Sequence, residues 1–170
     1  MMKKMNSILI ATLFPIAVIA GGGHGDSHGM RGMKAESHGH AEDAHKSGVG
    51  QAGMESEVSK TIAVGLLDTM RFEFSPALVL KSGDVVKFVV TNKGSIKHEF
   101  SIGSESEQIK HRKMMRSMPT MTHQDANTVT VEPGQSMSLL WKFDGDEAPV
   151  FACNIPGHAE AGMVKRIQLM

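Results

Sequence analysis

One cysteine, one tryptophan, no tyrosine and no net formal charge at pH 7 are what this 170-residue chain has least of. With Cys153 alone, no intramolecular disulfide can form, so a packed core or a bound group must hold the fold. Basic and acidic side chains balance at 18 each, which leaves no electrostatic footprint for nucleic acid. Long apolar runs are also scarce. The longest, Ile8 to Ala20, is interrupted by Thr12 and Pro15 and is too short to cross a bilayer comfortably.

That run follows Lys3 and Lys4 and leads into Gly21-Gly22-Gly23, with Val18-Ile19-Ala20 where cleavage would fall. This order predicts a secretory signal peptide over residues 1–20 and a periplasmic mature chain with no remaining membrane span. Retention of the segment as an N-terminal anchor is the alternative. A free thiol exported to an oxidising compartment is a liability unless it is buried or ligated, which makes Cys153 the residue of first interest.

Residues 21–57 are rich in Gly, His, Ser, Glu and Lys and poor in branched apolar side chains. Such a stretch cannot bury enough surface to offset its ordering entropy, so a disordered N-terminal arm is expected. A single domain is expected over 58–170. Within it, Thr61 to Leu67, Phe72 to Phe74, Ala77 to Leu80, Asp84 to Thr91, Ile96 to Ile102, Thr128 to Val131, Met137 to Phe143, Val150 to Cys153 and Val164 to Leu169 read as short strands. Turns at Lys81-Ser82-Gly83-Asp84 and Pro133-Gly134 separate some of them. Ser104 to Gln124 is polar and Met-bearing, and is expected to be a long connection with a helical turn or two. The fold class predicted is all-β, a Greek-key β-sandwich.

The segment Cys153-Asn154-Ile155-Pro156-Gly157-His158-Ala159-Glu160-Ala161-Gly162-Met163 carries a thiolate, an imidazole and a thioether at regular gaps on one loop, and His98 opens another strand. Two His and one Cys with a weak axial Met are the ligand set of a mononuclear type 1 copper site, so His98, Cys153, His158 and Met163 are the candidate ligands. A buried core thiol with His158 and Met163 nearby by chance is the bland alternative.

Asn92 to Gly103 together with Phe151 to Met163 resembles the cupredoxins, the plastocyanin and azurin family of small blue copper proteins, over about Val58 to Met170. The resemblance implies a Greek-key sandwich, one copper held by those four residues, and His158 near the surface in an apolar patch with Ile155, Pro156 and Ala159 as an electron port. His111 to His123, with Met118-Pro119-Thr120-Met121-Thr122-His123, and the His-rich arm are similar to the periplasmic copper-tolerance cupredoxins called CopI. One departure is Glu99, which stands where azurin and plastocyanin carry an Asn that helps to pin the ligand loop. Another is that Cys153 lies between Ala152 and Asn154, without the adjacent His that relays electrons to a second centre in multicopper oxidases and nitrite reductases. No enzymatic activity is therefore expected; a cuprous oxidase is the enzymatic alternative, and it needs an open coordination position or a relay that the sequence does not clearly show.

Secondary copper ligands are expected in the arm, at His24, His28, His38, His40 and His45, where the alternative is a solvated linker. Met115, Met118 and Met121 are spaced to gather thioethers around Cu(I), and equally to pack. Lys110, Arg112, Lys113 and Arg116 are expected to form a solvated face. The sequence thus predicts a copper-handling protein for copper tolerance, with copper ions and a candidate redox protein as partners, acting as a monomer. A dedicated electron carrier between respiratory proteins is the alternative, but it gains nothing from so many extra ligands.

Overall fold

The computed structural model describes residues 46–170. Two five-stranded sheets face one another. The first is ordered β1 (Gln51–Ala52), β8 (Ser136–Lys142), β4 (Val85–Asn92), β2 (Lys60–Leu67) and β3 (Arg71–Ser75). The second is ordered β10 (Val164–Arg166), β9 (Val150–Ala152), β5 (His98–Gly103), β7 (Thr128–Val131) and β6 (Gln124–Asp125). Only β2 and β4 pair in parallel; the other pairs are antiparallel. The expected all-β sandwich is what forms.

Alternation drives this arrangement. Val86, Phe88 and Val90 on β4, and Leu139 and Trp141 on β8, turn one face inward and are buried. Between the sheets, Phe100 of β5 stacks on Phe151 of β9 with centroids 5.5 Å apart, and Phe88 lies 5.4 Å from Phe100. Few aromatics are present, but six of the seven phenylalanines interlock in this one cluster.

Three expectations are corrected. The domain begins before residue 58: Val49 is fully buried in the core, β1 pairs with β8, and Ser47 Oγ donates to Glu107 Oε2 at 2.7 Å. A short segment with a single apolar residue looks like linker, yet one well-placed Val and a strand edge suffice to dock it. Ala77 to Leu80 is not a strand. Both edges of β2 are taken, by β3 and β4, so the chain crosses from one side to the other there, and Leu80 drops into the core.

The connection after β5 is a 13-residue helix, α1 (Glu105–Ser117), rather than a turn or two. Ser104 and Glu107 form a reciprocal capping box at its start, a Ser-x-x-Glu signal visible in the sequence. α1 packs on the outer face of β5, where Gln108 Nε2 donates to the Ser101 and Val150 carbonyls. β5 is in consequence buried on both faces, at every residue.

Candidate metal centre

His98 is the first residue of β5, and Cys153 directly follows β9. These strands are neighbours, with Ser101 opposite Ala152, so the sheet itself brings the two residues to one end of the sandwich. His98 is fully buried, and its Nε2 lies 3.0 Å from Asp68 Oδ1. Asp68 sits in the turn between β2 and β3; its Oδ2 accepts from Ser95 N at 2.8 Å and Ser95 Oγ at 2.6 Å. The Ser95 hydroxyl and amide, and then His98, hold this carboxyl well below the usual range. An ionised Asp68 fixes the proton on Nε2 and leaves His98 Nδ1 as a lone-pair atom. That nitrogen is buried with no hydrogen-bond partner.

Cys153 is fully buried, and its Sγ lies 3.3 Å from His158 Nδ1 while accepting from Glu99 N at 3.3 Å. Burial pushes the thiol up to about 12, although the Glu99 and Ile155 amides work in the opposite direction. A cation is thus needed to hold a thiolate here near neutral pH. His98, Cys153 and His158 each bring one ligand atom within 4.8 Å of the others, and the two imidazole rings are 5.1 Å apart. Burial lowers the pKa of His158, as does the neighbouring His98, which favours the neutral, ligating ring.

The loop that returns from Cys153 is closed at its base. Cys153 N donates to Met163 O, and Met163 N to His158 O, both at 3.0 Å, and Met163 is fully buried in the same core cluster as Cys153. Gly162 has φ +105°, and a Cβ there would meet Arg71 Nη1 at 2.6 Å. That guanidinium donates to the Ala161 and Met70 carbonyls, so only glycine lets it brace the loop.

Glu99, which stands where azurin and plastocyanin carry an Asn, tethers the loop after Cys153. Its Oε1 accepts from Asn154 N and Asn154 Nδ2, each at 3.2 Å, so the Glu99 carboxyl pins the residue after Cys153. Burial raises Glu99 to about 7, with the Asn154 bonds opposing. Asp68 was not anticipated as part of the site: it lies 30 residues from His98, and nothing in its local sequence marks it.

Of the methionines named as secondary candidates, Met115 is buried with its Sδ 3.2 Å from His123 Nε2, whereas Met118 and Met121 are 43% and 41% exposed. His24, His28, His38, His40 and His45 lie outside the described residues. The basic stretch of α1 is partly paired: Arg116 bonds Glu160 at 2.5 Å on the loop after Cys153, and Arg112 approaches Glu105 at 3.9 Å.

Two imidazoles and a thiol converging at the end of a sandwich, one imidazole nitrogen orphaned, fit copper by softness and by geometry. Fold and donor set together define a copper-binding cupredoxin. The family model described as multicopper oxidase matches residues 43–168. "Copper-resistant cuproprotein CopI" of Vibrio cholerae serotype O1 is 47% identical over 146 residues, covering 86% of this chain and 79% of the relative. The protein of the same name from Rubrivivax gelatinosus is 38% identical, covering 94% and 92%. The dithionite-reduced auracyanin of Roseiflexus castenholzii shares the fold at a TM-score of 0.54 and 17% identity, covering 66% of this chain and 98% of its own. The chain belongs to the CopI family of cupredoxins.

Asp68→Ala tests the orientation of His98. Removing a carboxylate that fixes a ligand histidine costs roughly 10–100-fold in metal affinity. Competition titration with a copper chelator should show a loss of that size with the domain still folded; an unchanged affinity would remove Asp68 from the site.

Proposed function

We propose that His98, Cys153, His158 and Met163 hold one type 1 copper, and that the protein sequesters and converts copper in the periplasm as part of copper tolerance. When bound, copper supplies a reversible one-electron change between Cu(II) and Cu(I). The observation that carries this reading is that His98, Cys153 and His158 each bring one ligand atom within 4.8 Å of the others, with His98 Nδ1 buried and unpartnered and Cys153 Sγ 3.3 Å from His158 Nδ1. Asp68 holds the His98 ring, Glu99 holds the loop through Asn154, and the main-chain bonds between Cys153, His158 and Met163 hold the loop's shape. A frame made rigid in this way limits rearrangement when the metal changes charge.

The copper-resistance relatives favour handling over a pure carrier role, as do the extra imidazoles of the arm. His158 is only partly buried and lies beside the partly buried Ile155 and the exposed Pro156, which suits exchange of an electron with a partner protein. The protein acts as a monomer that binds copper and exchanges electrons, without turning over an organic substrate. Among the described residues, no helix is long and apolar enough to cross a membrane.

Titration of the purified protein with Cu(II), followed by visible absorption, is the test. One equivalent should saturate a strong thiolate-to-copper band, and further ions should bind without colour. Deleting 21–45 should lower the total stoichiometry and leave the band intact. The deletion stops short of Ser47 because Val49 belongs to the core. Equal stoichiometry in both forms would end the collector role of the arm.

A further inference from the structure

Behind the triad, on the α1 side of β5, lies a second group of ligating side chains. Glu99 on β5, His111 on α1 and His123 just before β6 each bring one ligand atom within 4.8 Å of the others. Glu99 is completely buried, and its Oε2 has no hydrogen-bond partner. His111 Nε2 is likewise buried and unpartnered, 3.6 Å from that oxygen. Orphaned buried polar atoms are costly, and these two lie side by side, while the other ring nitrogen of His111, Nδ1, is 3.2 Å from Asn154 Nδ2.

His123 completes the pattern. Its Nδ1 lies 3.0 Å from Asp125 Oδ2, which places the proton of the neutral ring on Nδ1 and a lone pair on Nε2. That Nε2 lies 3.2 Å from Met115 Sδ, and in the tautomer set by Asp125 both atoms present lone pairs. An imidazole turned by a carboxylate is the arrangement found behind metal-ligating histidines, and Asp125 does for His123 what Asp68 does for His98. His111 and Met115 stand four residues apart on α1, one helical turn, and so share its inner face.

We propose that Glu99, His111 and His123, with Met115 as a soft fourth donor, form a second copper site between α1 and β5, distinct from the His98, Cys153 and His158 triad. Two imidazoles and a carboxylate suit Cu(II), which leads the divalent first-row ions at such donors, and the thioether keeps Cu(I) bound as well. With no thiolate among the donors, the ion would be almost colourless. The choice of copper rests on the copper-handling reading above; the geometry of the site does not. Glu99 joins the two centres, since its other oxygen tethers Asn154 next to Cys153.

The test uses the full chain loaded with Cu(II) and then exposed to excess nitrilotriacetate, with retained copper counted by metal analysis and the visible band recorded on the same samples. His111→Ala and His123→Ala should each retain one ion fewer than wild type while the thiolate-to-copper band is unchanged. Variants that retain as much copper as wild type overturn the site. Diffraction from crystals of the copper-loaded wild-type protein at the copper absorption edge settles the matter without any substitution. An anomalous peak among Glu99, His111 and His123 is expected, and its absence overturns the inference. Absence of the visible band, or an empty position at His98, Cys153 and His158, would instead overturn the type 1 reading and leave the second site standing.

Discussion

Cys153→Ser should abolish the intense visible absorption of the oxidised, copper-loaded protein. The band needs a thiolate bound to Cu(II), and Cys153 is the only cysteine in the chain. A serine hydroxyl at the same buried position is a hard donor that stays protonated, so it can replace neither the charge nor the softness of sulfur. Folding of the metal-free protein should survive, because Glu99 N, which donates to Cys153 Sγ at 3.3 Å, can donate to a serine oxygen instead. The variant should therefore keep its far-UV circular dichroism and lose its colour. A band of wild-type intensity in Cys153→Ser would refute the assignment of the ligands.

Phe100→Ala is expected to give the largest loss of stability. Phe100 is fully buried on β5, stacks on Phe151, and lies 5.4 Å from Phe88 and 5.7 Å from Phe72, so it touches both sheets. Truncating a buried phenylalanine costs about 3–5 kcal/mol, the lost transfer energy plus that of the cavity left behind. For a domain of this size the metal-free Tm should fall by roughly 10–20 °C. Because Phe100 stands two residues beyond His98 on the same strand, copper affinity should fall along with stability. A thermal melt displaced by less than about 3 °C would mean that the cluster is not the central packing element.

Much of the fold was legible in the sequence because β-strands announce themselves by alternation. Val86, Phe88 and Val90, or Leu139 and Trp141, are inward residues separated by outward ones, and each pair or triplet marks its strand without reference to the rest of the chain. The candidate loop was legible for a similar reason: Cys153, His158 and Met163 are close in sequence, so their spacing already constrains their geometry. Less visible were features decided by neighbours. Glu99 lies on the face of β5 away from the inter-sheet core, and it is buried because α1 covers that face. The helix itself was signalled by Ser104 and Glu107, but its inner face of Gln108, His111 and Met115 is too polar to stand out as amphipathic. Val49 docks by long-range contact alone, which no local pattern records.

By itself, then, the sequence determined the class of fold, the lone thiol and the candidate donors whose sulfur and imidazole chemistry suits copper. Those follow from residue type and short-range spacing, which the chain carries wherever it goes. Tertiary structure decided which lone pairs are left unpaired and where they point. Asp68 turns His98 from 30 residues away, Asp125 turns His123 toward Met115, and α1 seals Glu99 from water. Desolvation and orientation belong to the assembled surroundings of a side chain, and they exist only once distant segments have packed against it.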